Sequence, residues 1–202
     1  MPHFIPTQAV RILDGFWQEK QRLIHDVVLP YQWEMLNDRV PDAEPSRCIR
    51  NFRIAAGLEN GVREGTVFLD TDLYKWLEAV AYCLMTRPDP ALEKLADSAV
   101  ELIAAAQQPD GYLDTYYTIV APDRRWSNLM EGHELYCAGH FIQAAVAYWQ
   151  ATGKEKALQT AARFADCIDQ VFGPEEEKLH GYAGHPEIEL ALLQLYQATR
   201  DA

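Results

Sequence analysis

Apolar residues recur along most of this chain at the three-to-four-residue spacing of an amphipathic helix, rather than at the alternation of a half-buried strand. Residues 17–37 carry Leu23, Ile24, Val27, Val28, Tyr31 and Leu36, which predicts a helix kinked or restarted at Pro30. Ahead of it, residues 1–16, with Pro2 and Pro6, read as an extended lead-in. Residues 40–66, punctuated by Pro41, Pro45, Gly57, Gly61 and Gly65, read as an irregular loop. A loop of that length in a compact domain is functional or packs over a core made by other elements.

Beyond it the pattern settles into helical hairpins. Asp70-Thr71-Asp72 offers N-caps for a helix over about 70–85, and Pro88-Asp89-Pro90 breaks it and caps the next, about 91–108. After a polar, aromatic loop at 112–130, a helix over about 132–151 stops at Gly153. Its partner covers about 154–171, and a last helix about 186–199. Ala79-Val80-Ala81-Tyr82 recurs as Ala145-Val146-Ala147-Tyr148, and Leu95-Ala96-Asp97 is echoed by Phe164-Ala165-Asp166. The first helices start near 72, 133 and 185, spacings too long for tetratricopeptide or ankyrin arrays. They suit an all-α fold, an (α/α)6 toroid of alternating inner and outer helices. Only the first helix of the last hairpin is reached, so the expectation is an incomplete toroid, about its first half, with residues 1–202 as part of one domain. An open arc leaves an apolar edge, placed on the last helix at Leu190, Leu192, Leu193 and Leu195. The missing half of the barrel, or self-association, is the expected cover for that edge.

Composition narrows the partners. The 202 residues are 49% hydrophobic, enough for a globular core, and the formal net charge of −12 repels phosphate backbones and anionic lipid, which argues against nucleic acid and membrane partners. The amino terminus has no basic segment followed by an apolar run, so no secretory signal is read there. Cys48, Cys83, Cys137 and Cys167 are scattered, with no C-x-x-C pair. That fits reduced thiols and a cytoplasmic setting rather than a disulfide framework or a metal site.

In a toroid, ligands bind where the inner helices point their ends. The equivalent positions at the starts of the three inner helices are Asp72, His133 and His185, each a polar, hydrogen-bonding side chain. His133, Tyr136, Cys137 and His140 fall on one helical stripe, whereas Leu135, Ile142, Val146 and Trp149 fall on a core face. His140, beside Gly139, reads more simply as a core histidine. Glu134 either holds the His133 ring or caps the helix. The H-E-x-x-x-x-x-H spacing is not that of a zincin. Tyr112, Tyr116, Tyr117, Trp126 and Asn128 bring flat rings and short polar groups into one loop, a composition suited to carbohydrate, though aromatic packing under a loop accounts for any one of them equally well. His3, His25 and His180 read as ordinary surface or loop residues. Asp70, Asp72, Asp114 and Glu131 are acidic candidates, but sequence spacing pairs none of them as acid and nucleophile, so no catalytic residue is assigned.

These same residues carry a family resemblance. The segments Asn51-Phe52-Arg53-Ile54-Ala55-Ala56-Gly57, Asp72-Leu73-Tyr74-Lys75-Trp76-Leu77-Glu78-Ala79, Ala106-Gln107-Gln108-Pro109-Asp110-Gly111-Tyr112-Leu113, Arg125-Trp126-Ser127-Asn128-Leu129, His133-Glu134-Leu135-Tyr136-Cys137-Ala138-Gly139-His140 and Gly184-His185-Pro186-Glu187-Ile188-Glu189 span nearly the whole chain. In them the chain resembles glycoside hydrolase family 127, the β-L-arabinofuranosidase family. The resemblance implies a catalytic (α/α)6 barrel followed by β-sandwich domains, and retaining removal of β-L-arabinofuranosyl units. It implies a glutamate acid/base and a zinc-bound cysteine nucleophile, a thiolate available at neutral pH. Those residues and the other zinc ligands lie downstream of the matched motifs, so zinc is expected in a full-length member, with no metal ligand and no cofactor in this chain. By position, His133 and His185 correspond to sugar-contacting residues, and the isolated chain is expected to be inactive. Two other classes stay open at this point: another toroidal sugar enzyme, such as an unsaturated glucuronyl hydrolase or an epimerase, and a non-catalytic helical scaffold.

Overall fold

The computed structural model describes residues 5–201; Pro2 and His3, named above, lie outside the described residues. Nine α-helical segments among those residues form two layers. Helices α4 (Asp70–Thr86), α7 (Glu134–Thr152) and α9 (Glu187–Thr199) stand side by side as the inner layer, α7 packing on both neighbours. The outer layer comprises α1 (Gly15–Leu23), its continuation α2 (Leu29–Leu36), α5 (Pro90–Ala106) and α8 (Lys156–Val171), α5 and α8 touching each other. Short helices α3 (Cys48–Ala55) and α6 (Thr115–Ile119) fill the connections at the α4 end. This is an arc of an (α/α)6 toroid, as the hairpin spacing implied.

The layers follow from the side chains. Helix α8 has one apolar stripe, Ala157, Ala161, Phe164 and Ile168, and turns its charged face to water. Helix α7 is buried on nearly every side, including Cys137, Phe141, Ile142, Ala145 and Tyr148, because helices flank it on three sides. Gly139 lets α9 come that close: a Cβ there would sit 2.8 Å from Glu187 Cγ and 3.0 Å from backbone atoms of Glu187 and Ile188. On the other side of α4, Trp33 of α2 packs against Trp76 with ring centroids 4.5 Å apart, and Trp76 Nε1 donates to the Leu29 carbonyl at 3.0 Å. Burying such a side chain stabilises the fold by roughly 1.5–3 kcal/mol.

Several boundaries come out differently from the sequence reading. Residues 5–14 are extended except for a 3₁₀ turn at Thr7–Ala9, and Gln8 Nε2 donates to the Gln150 carbonyl, tying the lead-in beneath α7. The helix passes Pro30 by a change of type, α2 restarting at Leu29 with the proline in its first turn. One π-helical turn, Ile24–Val28, precedes it, with Leu29 N–H donating to the carbonyl of Ile24 five residues back. That wider turn accommodates the proline ring and its missing N–H without ending the helix. The segment 40–66 is not wholly irregular: α3 lies inside it, with Cys48, Ile49 and Phe52 buried. Eight residues are too few for the periodicity to stand out beside the surrounding glycines and prolines.

Asp70 does not cap α4 either. Its carboxylate, 1% exposed, accepts from the Thr115 N–H at 2.7 Å and from Thr115 Oγ1 at 2.5 Å, joining α4 to α6. Asp89, by contrast, caps α5 as read, accepting from the N–H groups of Ala91 and Leu92. The apolar edge of α9 holds for Leu190, Leu192 and Leu193, but Leu195 is buried with Ile188 and Ala191 on the opposite stripe. The repeated Ala-Val-Ala-Tyr motifs occupy unlike environments: Tyr148 is buried and donates to Asp97, whereas Tyr82 is exposed.

Candidate functional site

The starts of α7 and α9 bring two histidines together. His133 has a left-handed backbone, φ +59°, just ahead of α7, and His185 lies in the turn leading into α9; their ring centroids are 5.2 Å apart. Tyr136, one turn into α7, sits 5.6 Å from the His133 ring and 5.0 Å from that of His185. Phe68 covers the other side of His133 at 5.0 Å, and His140 meets Tyr136 edge-on at 4.5 Å. From α4, Lys75 Nζ donates to Tyr136 Oη at 2.7 Å and stands 5.0 Å from that ring's centroid. A cation over a phenol ring polarises the hydroxyl and fixes it in place.

The backbone behind His133 is arranged to hold the ring. His133 Nδ1 is 2.6 Å from the carbonyl oxygen of Glu131, which only accepts, so Nδ1 is the donor. In the neutral ring Nε2 then carries the lone pair. A non-glycine residue in the left-handed region costs roughly 1–2 kcal/mol. Gly132 and Gly184 pack where side chains would clash: a Cβ on Gly132 would lie 2.4 Å from Tyr117 Oη, and one on Gly184 2.5 Å from the Met130 carbonyl oxygen. The Gly184 N–H donates to the Leu129 carbonyl at 3.0 Å, so the 128–132 loop positions both histidines.

The residues singled out from the sequence divide accordingly. His133, His185 and Tyr136 form one cluster. Asp72 is exposed one turn ahead of Lys75, and no hydrogen bond joins it to either imidazole among the described residues; partial burial raises its carboxyl above the usual range while Lys75 opposes this. Trp126 is packed into the scaffold, edge-on to Tyr112 at 5.1 Å and to Phe172 at 5.4 Å. Asn128 Oδ1 accepts from the Glu131 N–H at 3.0 Å and so shapes the turn before His133. Cys137 leaves the stripe for the core, 0% exposed, its thiol pushed well above its ordinary range by burial.

Glu134 neither holds the His133 ring nor caps α7. It is 2% exposed, accepts the Tyr112 hydroxyl proton, and accepts from the Trp126 N–H at 2.7 Å. Burial raises its carboxyl to about 7 despite these bonds and the nearby Arg125 guanidinium. Asp70, 1% exposed, is bonded to Thr115, whose hydroxyl also accepts from Arg63, and Asp114, 1% exposed, caps α6 by accepting from the Tyr117 N–H at 3.0 Å, so each has a structural role. His140 is mostly buried, its Nδ1 3.4 Å from Glu187 Oε1, and desolvation lowers its pKa to about 4. His25 is not a surface residue: it is 6% exposed in the π turn, with Nδ1 2.7 Å from Asp26 and Nε2 3.5 Å from Asp89. Lys75, Phe68 and Glu187 were not among the candidates. Lys75 falls three residues after Asp72, which gives a signal for it, whereas Phe68 and Glu187 show their place only in three dimensions.

Two aromatic imidazoles, a phenol, an ammonium and nearby carboxylates make a surface of mixed donors and acceptors backed by flat rings, which suits a polyhydroxyl ligand. Comparison with known proteins gives the family. The family model of the β-L-arabinofuranosidase GH127 catalytic domain matches residues 9–202. The chain belongs to this family. A non-reducing end β-L-arabinofuranosidase from Bifidobacterium longum subsp. longum is 48% identical over 206 aligned residues, covering 94% of this chain and 31% of its own length. The crystal structure of a GH127 β-L-arabinofuranosidase from Geobacillus stearothermophilus superposes with a TM-score of 0.93 at 58% identity, over 95% of this chain and 30% of that one. A second GH127 structure, a β-arabinofuranosidase, gives 0.88 at 35% identity, over 98% and 31%. The chain therefore spans about a third of the length of these GH127 relatives. No helix among the described residues is long and apolar enough to cross a membrane.

Proposed function

We propose that residues 1–202 form the sugar-binding wall of a glycosidase that removes β-L-arabinofuranosyl, or closely related, units from oligosaccharides or glycoconjugates. The observation that carries this reading is the joined cluster of His133, Tyr136 and His185 at the starts of two inner helices, with Lys75 reaching in from the third. Its role is to hold the glycone: His133 accepts a hydroxyl proton at Nε2, and the rings face the apolar side of the sugar. Asp72 borders this surface through Lys75, and Trp126 and Asn128 support it from behind rather than by touching the ligand.

Hydrolysis needs an acid and a nucleophile flanking the scissile bond. The buried Asp70 and Asp114, each in a structural role, offer no such pair, and the glutamate and zinc-bound cysteine of the family are assigned to sequence outside residues 1–202. The described residues of this chain do not fit a zinc centre. Among the described residues no three His, Cys, Asp or Glu side chains are grouped to hold a metal ion, and Cys48 and Cys137 are sealed in the core. The exposed Leu190, Leu192 and Leu193 of α9 are assigned to contact with the rest of the barrel rather than with a second copy. Four free thiols support a cytoplasmic location.

The test is kinetic. In the full-length protein, H133A and H185A each lower kcat/KM on an aryl β-L-arabinofuranoside about 10–100-fold, the effect of losing one hydrogen bond to a buried polar ligand. Wild-type rates in both variants sink the glycone assignment. The isolated 202-residue chain shows no turnover once host enzymes are removed; turnover there shows that the chemistry lies within these residues.

A further inference from the structure

We propose that Glu134 is a positioning residue for the glycone subsite, one buried carboxyl that sets both histidines through the loop it clamps. The assignment rests on the sugar-binding role of His133 and His185 given above. Glu134 follows His133 directly, yet its side chain turns away from the ligand surface and into the core. One oxygen takes the Tyr112 hydroxyl and the other the Trp126 N–H at 2.7 Å, where Trp126 has a left-handed backbone at φ +62°. That second bond anchors the start of a loop whose later carbonyls do the positioning. The Glu131 carbonyl accepts from His133 Nδ1, and the Leu129 carbonyl accepts from the Gly184 N–H, next to His185. Releasing Trp126 therefore loosens both rings together.

The surroundings of Glu134 explain why a carboxyl serves here. Tyr112 and Asp114 face it from the loop ahead of α6, Tyr117 from α6, and Arg125 from the 125–133 loop, its guanidinium 3.9 Å from the Tyr112 ring centroid. A phenol both donates and accepts, so the pair with Tyr112 survives in either protonation state of the acid. Ionised, Glu134 accepts from Tyr112; protonated, it donates to it, and the other oxygen takes the Trp126 N–H in both cases. Glutamine reproduces the protonated arrangement, its amide N–H donating to Tyr112 and its oxygen accepting from Trp126. Alanine removes both bonds. Aspartate keeps the charge but is one methylene too short to reach both partners.

The experiment compares E134A, E134D and E134Q in the full-length protein, on an aryl β-L-arabinofuranoside at pH 7, with H133A as reference. E134A is expected to lose about 10–100-fold in kcat/KM per folded molecule, as a misplacement of order 1 Å does, and E134D to lose about 3–10-fold. E134Q is expected to stay within about 3-fold of wild type, a rescue that loss of negative charge alone does not allow. A folded E134A with wild-type kcat/KM, or an E134Q as impaired as E134A, overturns the assignment. If E134A does not fold, E134D decides, and wild-type kinetics there overturn it. H133A at the wild-type rate contradicts the sugar-binding reading; a crippled H133A beside an unaffected E134D contradicts only the role of Glu134.

Discussion

The two ends of α7 both need a residue in the left-handed region, and they fill that need differently. At the carboxyl end it is Gly153, φ +73°, with open space around it, where the conformation carries no steric penalty. At the amino end it is His133, φ +59°, with a side chain that conformation disfavours, surrounded by Phe68, Tyr136 and His185. The carboxyl end of α7 only has to stop and carries glycine, although α9 stops on Arg200 at φ +62°. The amino end, which keeps a strained imidazole with Nδ1 pinned to Glu131 and Nε2 free to accept, is organised around the ring. Left-handed non-glycine residues also stand at Arg47, Trp126 and Arg200, so what sets His133 apart is the ring of aromatic side chains around it.

The largest effects that sharpen this contrast come from titration. Glu134 has a folded value of about 7 against an ordinary 4.5, so the folded state holds its proton more tightly. Its contribution is complete below about pH 4.5 and lost as pH rises through 7, a swing on the order of 3 kcal/mol. His140, at about 4 against 6.5, has the opposite sign: its contribution is complete above about pH 6.5 and lost as pH falls through 4, by a similar amount. In urea unfolding between pH 4.5 and 7, E134Q is expected to become more stable relative to wild type as pH rises, and H140Q as pH falls. Two variants that track wild type at every pH refute these burial-driven shifts.

Next in size is G139A. The added methyl meets backbone atoms of Glu187 and Ile188 at 3.0 Å, which cannot yield as a flexible side chain does, so stability is expected to fall by about 1–3 kcal/mol. Because His185 lies in the turn leading into α9, kcat/KM of the full-length protein is expected to fall with it. The smallest is G153A: about 1 kcal/mol of stability lost to the left-handed backbone, measured by thermal unfolding, with kcat/KM unchanged. Any sizeable loss of activity in G153A blurs the distinction between the two ends.

How much of this was legible in the sequence follows the same division. Hairpins, the Asp89 cap, the Gly153 stop and the convergence of His133 with His185 are set by local spacing, and a linear reading finds them. What escaped it depends on partners distant in sequence. Asp70 looks like an N-cap but bonds Thr115, 45 residues away. Glu134 looks like a neighbour of the imidazole, but Tyr112 draws it into the core. Trp126 reads equally as a sugar contact or as loop packing, and its edge-on contact with Phe172 at the end of α8 appears only in three dimensions. His25 sits in a helix whose π turn buries it, a geometry that a 3.6-residue periodicity does not encode. Leu195 was misplaced for a simpler reason: one turn of α9 faces both α8 and the open edge, and adjacent leucines fall on either side.

The most direct test of the contrast is H133G in the full-length protein, with kcat/KM and thermal stability measured on the same preparation. Glycine relieves the left-handed backbone while removing the ring, so stability is expected to stay within about 1 kcal/mol of wild type while kcat/KM falls about 10–100-fold. A variant that keeps its activity, or one that loses stability in proportion to activity, would show that His133 is part of the scaffold and not of the sugar site.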